Sequence, residues 1–336
     1  MKLLYHDCRF PHHGFQTVFS HFPHGKIKKI IRGGPFMKKW WFTLAGILAY
    51  IIGVGLYFSN RIMYMKKKED DFIQNREIMA KRLITEDFDN LPKSEIWVSS
   101  PSGYSLKCLF IEPHDTKKWV VISHGVTENK VNSIKYMNIF LKRGFNAIIY
   151  DHRRHGDSGG KTSSYGHYEK FDLKAVIDEL KRRKGPDLHI GIHGESMGAV
   201  TLLLYAGMLE DGADFYIADC PFSNFEDQIK HKLKHEVPFP SWTVFPLGRT
   251  FIKLRDGYWT NEVSPIDYMK NIRKPVLFIH SENDSFIPAS MTAELYAAKE
   301  GPKQLYIAKK GAHAQSYNEN PKEYEDQIDQ FLKKLV

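Results

Sequence analysis

Cysteine is scarce in this chain, with three in 336 residues. Cys8 sits near the N-terminus, and Cys108 and Cys220 supply no disulfide framework that would fix a compartment. No cysteine or histidine cluster has zinc spacing, so no structural or catalytic metal is expected. No internal repeat is visible, which sets aside solenoids and propellers. A basic face is missing too, although the formal net charge is +9. Residues 1–36 hold six Lys/Arg against one acid and residues 37–71 hold six against three, which accounts for eight of the nine surplus charges. The remainder is close to neutral, and a nucleic-acid partner is not expected.

Residues 1–36 show no sustained helical or strand period and carry five of the sixteen histidines. Their end, Arg32-Gly33-Gly34-Pro35-Phe36-Met37, can be encoded by a purine-rich ribosome-binding site placed just before Met37. Translation from Met37 is therefore expected, with a disordered histidine-rich tail as the alternative. From Trp40 to Phe58 the chain carries no charge, is long enough to cross a bilayer as a helix, and has aromatics at both ends. No small-residue cleavage site follows it. Residues 37–60 are read as a single-pass membrane anchor, and residues 61–92 as a linker with an amphipathic helix along Ile73, Ala80, Leu83, Ile84 and Phe88. Lys38 and Lys39 precede the span while Arg61 and Lys66–Lys68 follow it, a count that favours the C-terminal side inside. A short basic N-terminus before a first span commonly stays inside instead, and the expectation adopted is a domain outside the cell.

Residues 93–336 alternate strand and helix patterns, so an α/β fold with a mostly parallel, doubly wound sheet is expected. Its centre is Gly194-Glu195-Ser196-Met197-Gly198, between a short β-branched run and a longer apolar one. A strand that turns sharply into a helix strains the residue at the turn and leaves its side chain exposed at the strand end. Alone this pattern is common; between a strand and a helix it marks Ser196 as a candidate nucleophile.

A nucleophilic serine needs a histidine base and a carboxylate to orient it. Asp284 follows the strand at Pro275–His280, and His313 follows the strand at Gln304–Ala308. Asp219 is a rival acid at the end of the preceding strand, and Glu282 a weaker one. His189, His193 and His280 read as structural. Main-chain donors for a developing oxyanion are expected at Met197, the first residue of the helix, and at Val126, in the loop opened by Gly125. His152-Arg153-Arg154-His155 reads as a structural loop ahead of an anion site. Gly53-Val54-Gly55 lies inside the apolar run and is no nucleotide loop. Residues 221–270 interrupt the alternation with Phe222, Phe225, Phe239, Trp242, Phe245, Phe251, Tyr258 and Trp259, and are read as a small cap between the sixth and seventh strands. These aromatics form the cap's own core, or some of them line an apolar acyl pocket or touch the bilayer.

From Glu95 onward the sequence resembles the α/β-hydrolase superfamily. The resemblance rests on His124-Gly125, Asp151-x-Arg153-x-x-Gly156-x-Ser158, the Ser196 pentapeptide, Asn283-Asp284-x-x-Ile287-Pro288 and Gly311-x-His313. With the N-terminal span, it looks like a group of membrane-anchored bacterial serine hydrolases described as S33-peptidase-like. Arg154 stands where many relatives have glycine, and Glu195 where many have histidine. The resemblance implies a serine hydrolase with no cofactor that acts on a small acyl substrate. Esters with short to medium acyl chains are expected ahead of N-terminal peptides, which would need Glu195, Asp157 or Asp219 to bind the free amine. A non-catalytic binding protein on the same fold is the other alternative.

Overall fold

The computed structural model describes residues 35–236 and 240–335. The expectations for residues 1–34 and for Phe239 lie outside the described residues. Eight strands form one sheet in the order β1-β2-β4-β3-β5-β6-β7-β8. They are β1 (Lys93–Ser99), β2 (Ser105–Ile111), β3 (Lys118–Ser123), β4 (Asn146–Tyr150), β5 (His189–Glu195), β6 (Phe215–Asp219), β7 (Val276–Ser281) and β8 (Lys303–Ala308). β2 runs antiparallel to both β1 and β4, and all pairings from β4 to β8 are parallel.

Side chains alternate across a strand, so each central strand feeds two cores. Trp119 and Val121 of β3 join one apolar cluster with Leu173, Val176 and Leu202, while Val120 and Ile122 join a second with Met137, Phe140 and Ile328. The covering helices are α4 (Ile134–Leu141), α5 (Glu169–Lys184), α6 (Met197–Leu204), α9 (Ala289–Ala298) and α11 (Pro321–Lys333), with the short α10 (Ser316–Glu319) before the last. α6 runs on through a π turn at Tyr205–Leu209.

The N-terminal helix α1 spans Pro35–Met63, beyond the expected end of the span. Among the described residues one helix, Lys38–Met63, is long and apolar enough to cross a membrane. α2 (Asp70–Met79) is shorter than the expected amphipathic helix, because the chain turns at Ala80 and a short α3 (Thr85–Asp89) follows. Ile73 and Leu83 are buried, whereas Ala80 and Ile84 are exposed.

The segment after β6 carries α7 (Phe225–Glu236) and α8 (Ser241–Asp256). α8 packs on the end of α1 at close range. A Cβ on Gly55 would lie 2.2 Å from the Phe251 ring, and Gly248 faces Phe58. Met63, Tyr165, Phe222, Phe225, Ile252, Tyr258 and Ile287 form a third apolar cluster. Trp242 is 77% exposed and lies outside the three apolar clusters.

Candidate active site

Ser196 sits between β5 and α6 with φ 54° and ψ −114°, a conformation costly for a residue with a Cβ. The two flanking glycines make that turn possible. A Cβ on Gly194 would fall 2.4 Å from the Gly198 carbonyl carbon, and one on Gly198 would fall 2.0 Å from the Ser123 carbonyl oxygen. Backbone bonds fix the turn from both sides. Ser196 N–H donates to Asp219 O at 2.7 Å, and Val200 N–H donates to Ser196 O at 3.0 Å.

Ser196 Oγ lies 2.8 Å from His313 Nε2, and His313 Nδ1 lies 2.7 Å from Asp284 Oδ2. A carboxylate only accepts, so Nδ1 carries the ring proton and Nε2 of the neutral ring is left to accept from the serine hydroxyl. Asp284 Oδ1 accepts from Phe286 N–H and Ile287 N–H at 2.8 and 2.9 Å. Burial alone would raise the Asp284 carboxyl, but the hydrogen bonds from His280 and His313 hold it well below the ordinary range. The three groups expected to act together therefore converge, each from a strand end. A hydroxyl, imidazole and anionic carboxylate in this chain form the relay that general-base activation of a hydroxyl requires.

The rival acids point elsewhere. Asp219 is fully buried, accepting from Ser316 Oγ at 3.0 Å and Tyr324 OH at 3.1 Å. Burial and nearby Glu195 push its carboxyl up to about 7. Glu282 faces solvent beside Lys309. His193 is buried against the Tyr324 hydroxyl, and His189 pairs with Asp214 at the opposite end of β5.

Val126 and Met197 both line the cavity beside Ser196. Gly125 brings the Val126 loop in close, since a Cβ there would lie 3.5 Å from Ser196 Cβ. Two neutral histidines brace this loop. His124 donates through Nδ1 to Gly125 O at 2.7 Å and accepts from His152 N–H at 3.0 Å. His155 accepts from Thr127 N–H at 3.2 Å while Nδ1 donates to Arg153 O at 2.8 Å. Burial pushes these imidazoles down to about 4 and about 3, which keeps both rings neutral and able to accept. Arg153 lies over the Tyr168 ring at 4.4 Å, and Arg154 donates to Met65 O at 3.0 Å. The His152–His155 stretch is thus a packed loop.

Glu195, marked in the sequence only as a departure from histidine and a possible amine-binding acid, is buried next to the serine and accepts from Tyr136 OH at 2.7 Å and Asn132 Nδ2 at 3.2 Å, with Lys135 Nζ at 3.5 Å. Its neighbours carried no signal in the sequence. Arg76 of α2 donates to both Glu128 oxygens at 3.0 and 2.9 Å and to Asn132 Oδ1 at 2.9 Å. Burial would raise Glu128, yet Arg76 and Lys68 hold it down at about 2. His280 Nε2 reaches Asp284 Oδ2 as well. Only a pairing over 52 positions in the chain links Arg76 to Glu128, and no local pattern encodes it.

Cys220 Sγ lies within 4.8 Å of donor atoms of Asp284 and His313, the one grouping among the described residues with metal-ligand types in reach. Burial, with three carboxylates nearby, raises the Cys220 thiol well above its ordinary value. Its thiol proton is therefore hard to remove, and the Asp284 oxygen and His313 Nδ1 already bind each other. The grouping does not fit a cation.

Residues 114–255 match the model of the family described as serine aminopeptidase, S33. The Bacillus subtilis (strain 168) protein YqkD is 49% identical over 297 residues, covering 88% of this chain and 97% of that one. The α/β-hydrolase domain-containing protein WAV2 of Arabidopsis thaliana is 24% identical over 254 residues, covering 74% of this chain and 80% of its own. The chain belongs to the α/β-hydrolase superfamily. Among solved structures, the Pyrococcus furiosus esterase Pf2001 superposes with a TM-score of 0.61 at 23% identity, covering 75% of this chain and 96% of that one. The acylaminoacyl peptidase of Pyrococcus horikoshii gives 0.55 at 20% identity, covering 74% of this chain and 42% of its own. Both likenesses concern the fold, which α/β-hydrolases with different substrates share.

Proposed function

We propose that this α/β-hydrolase is a membrane-anchored serine hydrolase that cleaves carboxylic esters through an acyl-enzyme. The observation that carries the reading is the Ser196–His313–Asp284 relay, with bonds of 2.8 and 2.7 Å, beside an apolar cavity. Ser196 Oγ attacks the acyl carbon as His313 Nε2 takes its proton. The carbonyl oxygen becomes an oxyanion, stabilised by the Met197 and Val126 N–H groups. Collapse expels the alcohol, which leaves with the proton from His313. Water, deprotonated by His313, then attacks the acyl-enzyme, and the acid is released with Ser196 reprotonated. Asp284 keeps its negative charge throughout and steadies the imidazolium.

Ester cleavage is favoured over aminopeptidase action by the state of the acids. A free α-amine needs an unengaged carboxylate near the acyl site. Glu195 is held by Tyr136, Asn132 and Lys135, Asp219 by Ser316 and Tyr324, and Asp157 sits outside beside Lys130. The domain layout in this reading is an anchor at 37–60 and a hydrolase domain at 93–336 with a cap at about 221–270, facing the outside of the cell. Exposed Trp40, Trp41, Phe42, Leu44 and Ile47 on α1 support the anchor.

The test is a fluorophosphonate probe together with p-nitrophenyl esters and aminoacyl-p-nitroanilides. Labelling lost in Ser196→Ala, and esters turned over faster than anilides, is the expected result. Labelling that persists in Ser196→Ala would remove the nucleophile assignment. No labelling of the native protein would favour a binding protein on the hydrolase fold. Protease shaving of intact cells that leaves the domain uncut would reverse the orientation.

A further inference from the structure

The last turns of the apolar helix and the segment that follows it do not simply connect it to the hydrolase domain. They are fastened along their length: Arg255 Nη1 donates to Ser59 Oγ at 2.6 Å, Tyr165 OH to Ile62 O at 3.1 Å, and Ser163 N–H to Met63 O at 3.0 Å. Lys68 N–H then donates to Thr127 O at 3.0 Å, and Arg76 is locked to Glu128 and Asn132. None of these bonds is needed for tethering, which one flexible connection would achieve.

What the bonds hold in place is the wall of two cavities. The first, of about 160 Å³, is lined by Phe58, Ile62 and Met65 opposite Phe222, Phe225 and Ile229. The second, of about 200 Å³, is lined by Lys68 and Arg76 with Glu128, Asn132, Lys135 and Glu195. The two share Met65, Val126, Ser196 and Phe286, so they meet at the serine. One is apolar and the other charged. An ester that lies across Ser196 has a place for each of its halves.

We propose that residues Phe58–Arg76 are a substrate-selecting element of the site, and that the substrate is a single-chain acyl ester of a compact polar alcohol. The inference rests on Ser196 being the nucleophile. The acyl chain lies in the apolar cavity against the last turns of α1, where the side chains at 58 and 62 limit its length. A cavity of roughly 150 Å³ holds a benzene-sized group, so chains of about six to eight carbons fill this one. The alcohol half lies in the second cavity, where Lys68 and Arg76 share Glu128 and Lys135 faces Glu195, so donors are in excess beside carboxylate acceptors, a setting that suits hydroxyls.

The experiment uses the full chain in detergent micelles and reads ratios within each variant. Ile62→Trp fills the apolar cavity and is expected to lower kcat/KM for p-nitrophenyl octanoate, relative to the butyrate, at least tenfold. Phe58→Ala enlarges it and is expected to raise the same ratio at least threefold. Lys68→Gln is expected to reduce the preference for 1-octanoylglycerol over ethyl octanoate at least threefold. In the native protein, a fluorophosphonate with a diazirine-bearing octyl chain should label Ser196 and crosslink to the peptide containing Phe58, Ile62 and Met65, or to Phe222–Ile229. Ratios equal to the native ones in variants that still label, or crosslinks confined to other segments, would overturn this inference alone. A native protein that neither labels nor hydrolyses any ester would overturn the proposed function, and this inference with it.

Discussion

His280 Nε2 approaches Asp284 Oδ2 at 3.0 Å, on the same oxygen that His313 Nδ1 reaches at 2.7 Å. Nε2 also lies 2.9 Å from Ile287 O, so it faces two acceptors and is the protonated nitrogen. His280 thus holds the carboxylate from behind while the His313 imidazole holds it in front. His280 is fully buried, so its part in the proposed reaction is to position Asp284. His280→Gln should lower kcat about tenfold with little change in KM, an order of magnitude typical of a lost supporting hydrogen bond to a charged group. An unchanged kcat in steady-state ester hydrolysis would show that Phe286 and Ile287 N–H suffice to place Asp284.

The two rival acids separate sharply by substitution. Asp284→Asn turns an acceptor into a group that can present a donor to Nδ1 and favours the wrong tautomer, which should cost roughly 10⁴ in kcat. Asp219 is already pushed up to about 7 by burial and does not face His313. Asp219→Asn should therefore stay within about threefold of the native rate. Equal losses in the two variants would move the orienting acid.

Arg76→Met tests the charge network beneath the polar cavity. Glu77 and Glu128 are 1% and 8% exposed at the side chain and both bond this guanidinium, with Arg82 and Lys68 as their second partners. Each carboxylate keeps one cation in the variant, so the loss should stay below the about 3–5 kcal/mol of a wholly orphaned buried charge. Denaturant unfolding should show a loss of about 1–2 kcal/mol, the order of a hydrogen bond to a charged group. Glu128→Gln in the same background should recover part of it, since the under-compensated charge is then gone.

Acid should weaken the fold before it protonates the Asp284 carboxylate, which hydrogen bonds hold well below the ordinary range. Burial holds His124 at about 4, His155 and His193 at about 3, and His152 well below its ordinary value. The unfolded chain takes up these protons below about pH 6.5 and the native one does not, so this stability is present above pH 6.5 and drains as pH falls toward 4. Asp172 and Asp219, both raised to about 7, work the other way over the same range. Four histidines outweigh two carboxyls, and each net proton is worth about 1.4 kcal/mol per pH unit. Urea midpoints measured from pH 7 to pH 5 should fall; a flat or rising series would contradict the burial of these rings.

Much of this was legible in the sequence because it is local. The alternation of β-branched strands with longer helical runs gave the layer order, and the glycines at 194 and 198 gave the sharp turn, since each stands where another backbone leaves no room for a Cβ. Asp284 and His313 were placed by the rule that chemistry gathers at strand ends. Their 2.7 Å contact is a matter of geometry. Residues 61–92 read as a linker because the docking of α2 is carried by Arg76 and Lys68, whose partner Glu128 is distant in the chain. Charge pairs have no period, and an exposed-looking run such as Lys66-Lys67-Lys68-Glu69-Asp70 reads as solvated. The continuation of α1 past the apolar run has a similar reason: Ser59, Asn60 and Arg61 look like the end of an apolar span, yet Ser59 is fully buried beside Arg255.

By its internal contacts the chain divides between Ile52 and Gly53, inside α1 and not at the helix end. Eleven further residues of that helix, through Met63, count with the hydrolase domain. A cut after Met63 would part Phe58 and Ile62 from the cavity beside Ser196, so the released piece would lack one of its walls. A replacement for the first part of the helix would leave the walls at Phe58 and Ile62 in place only if joined upstream of Gly53.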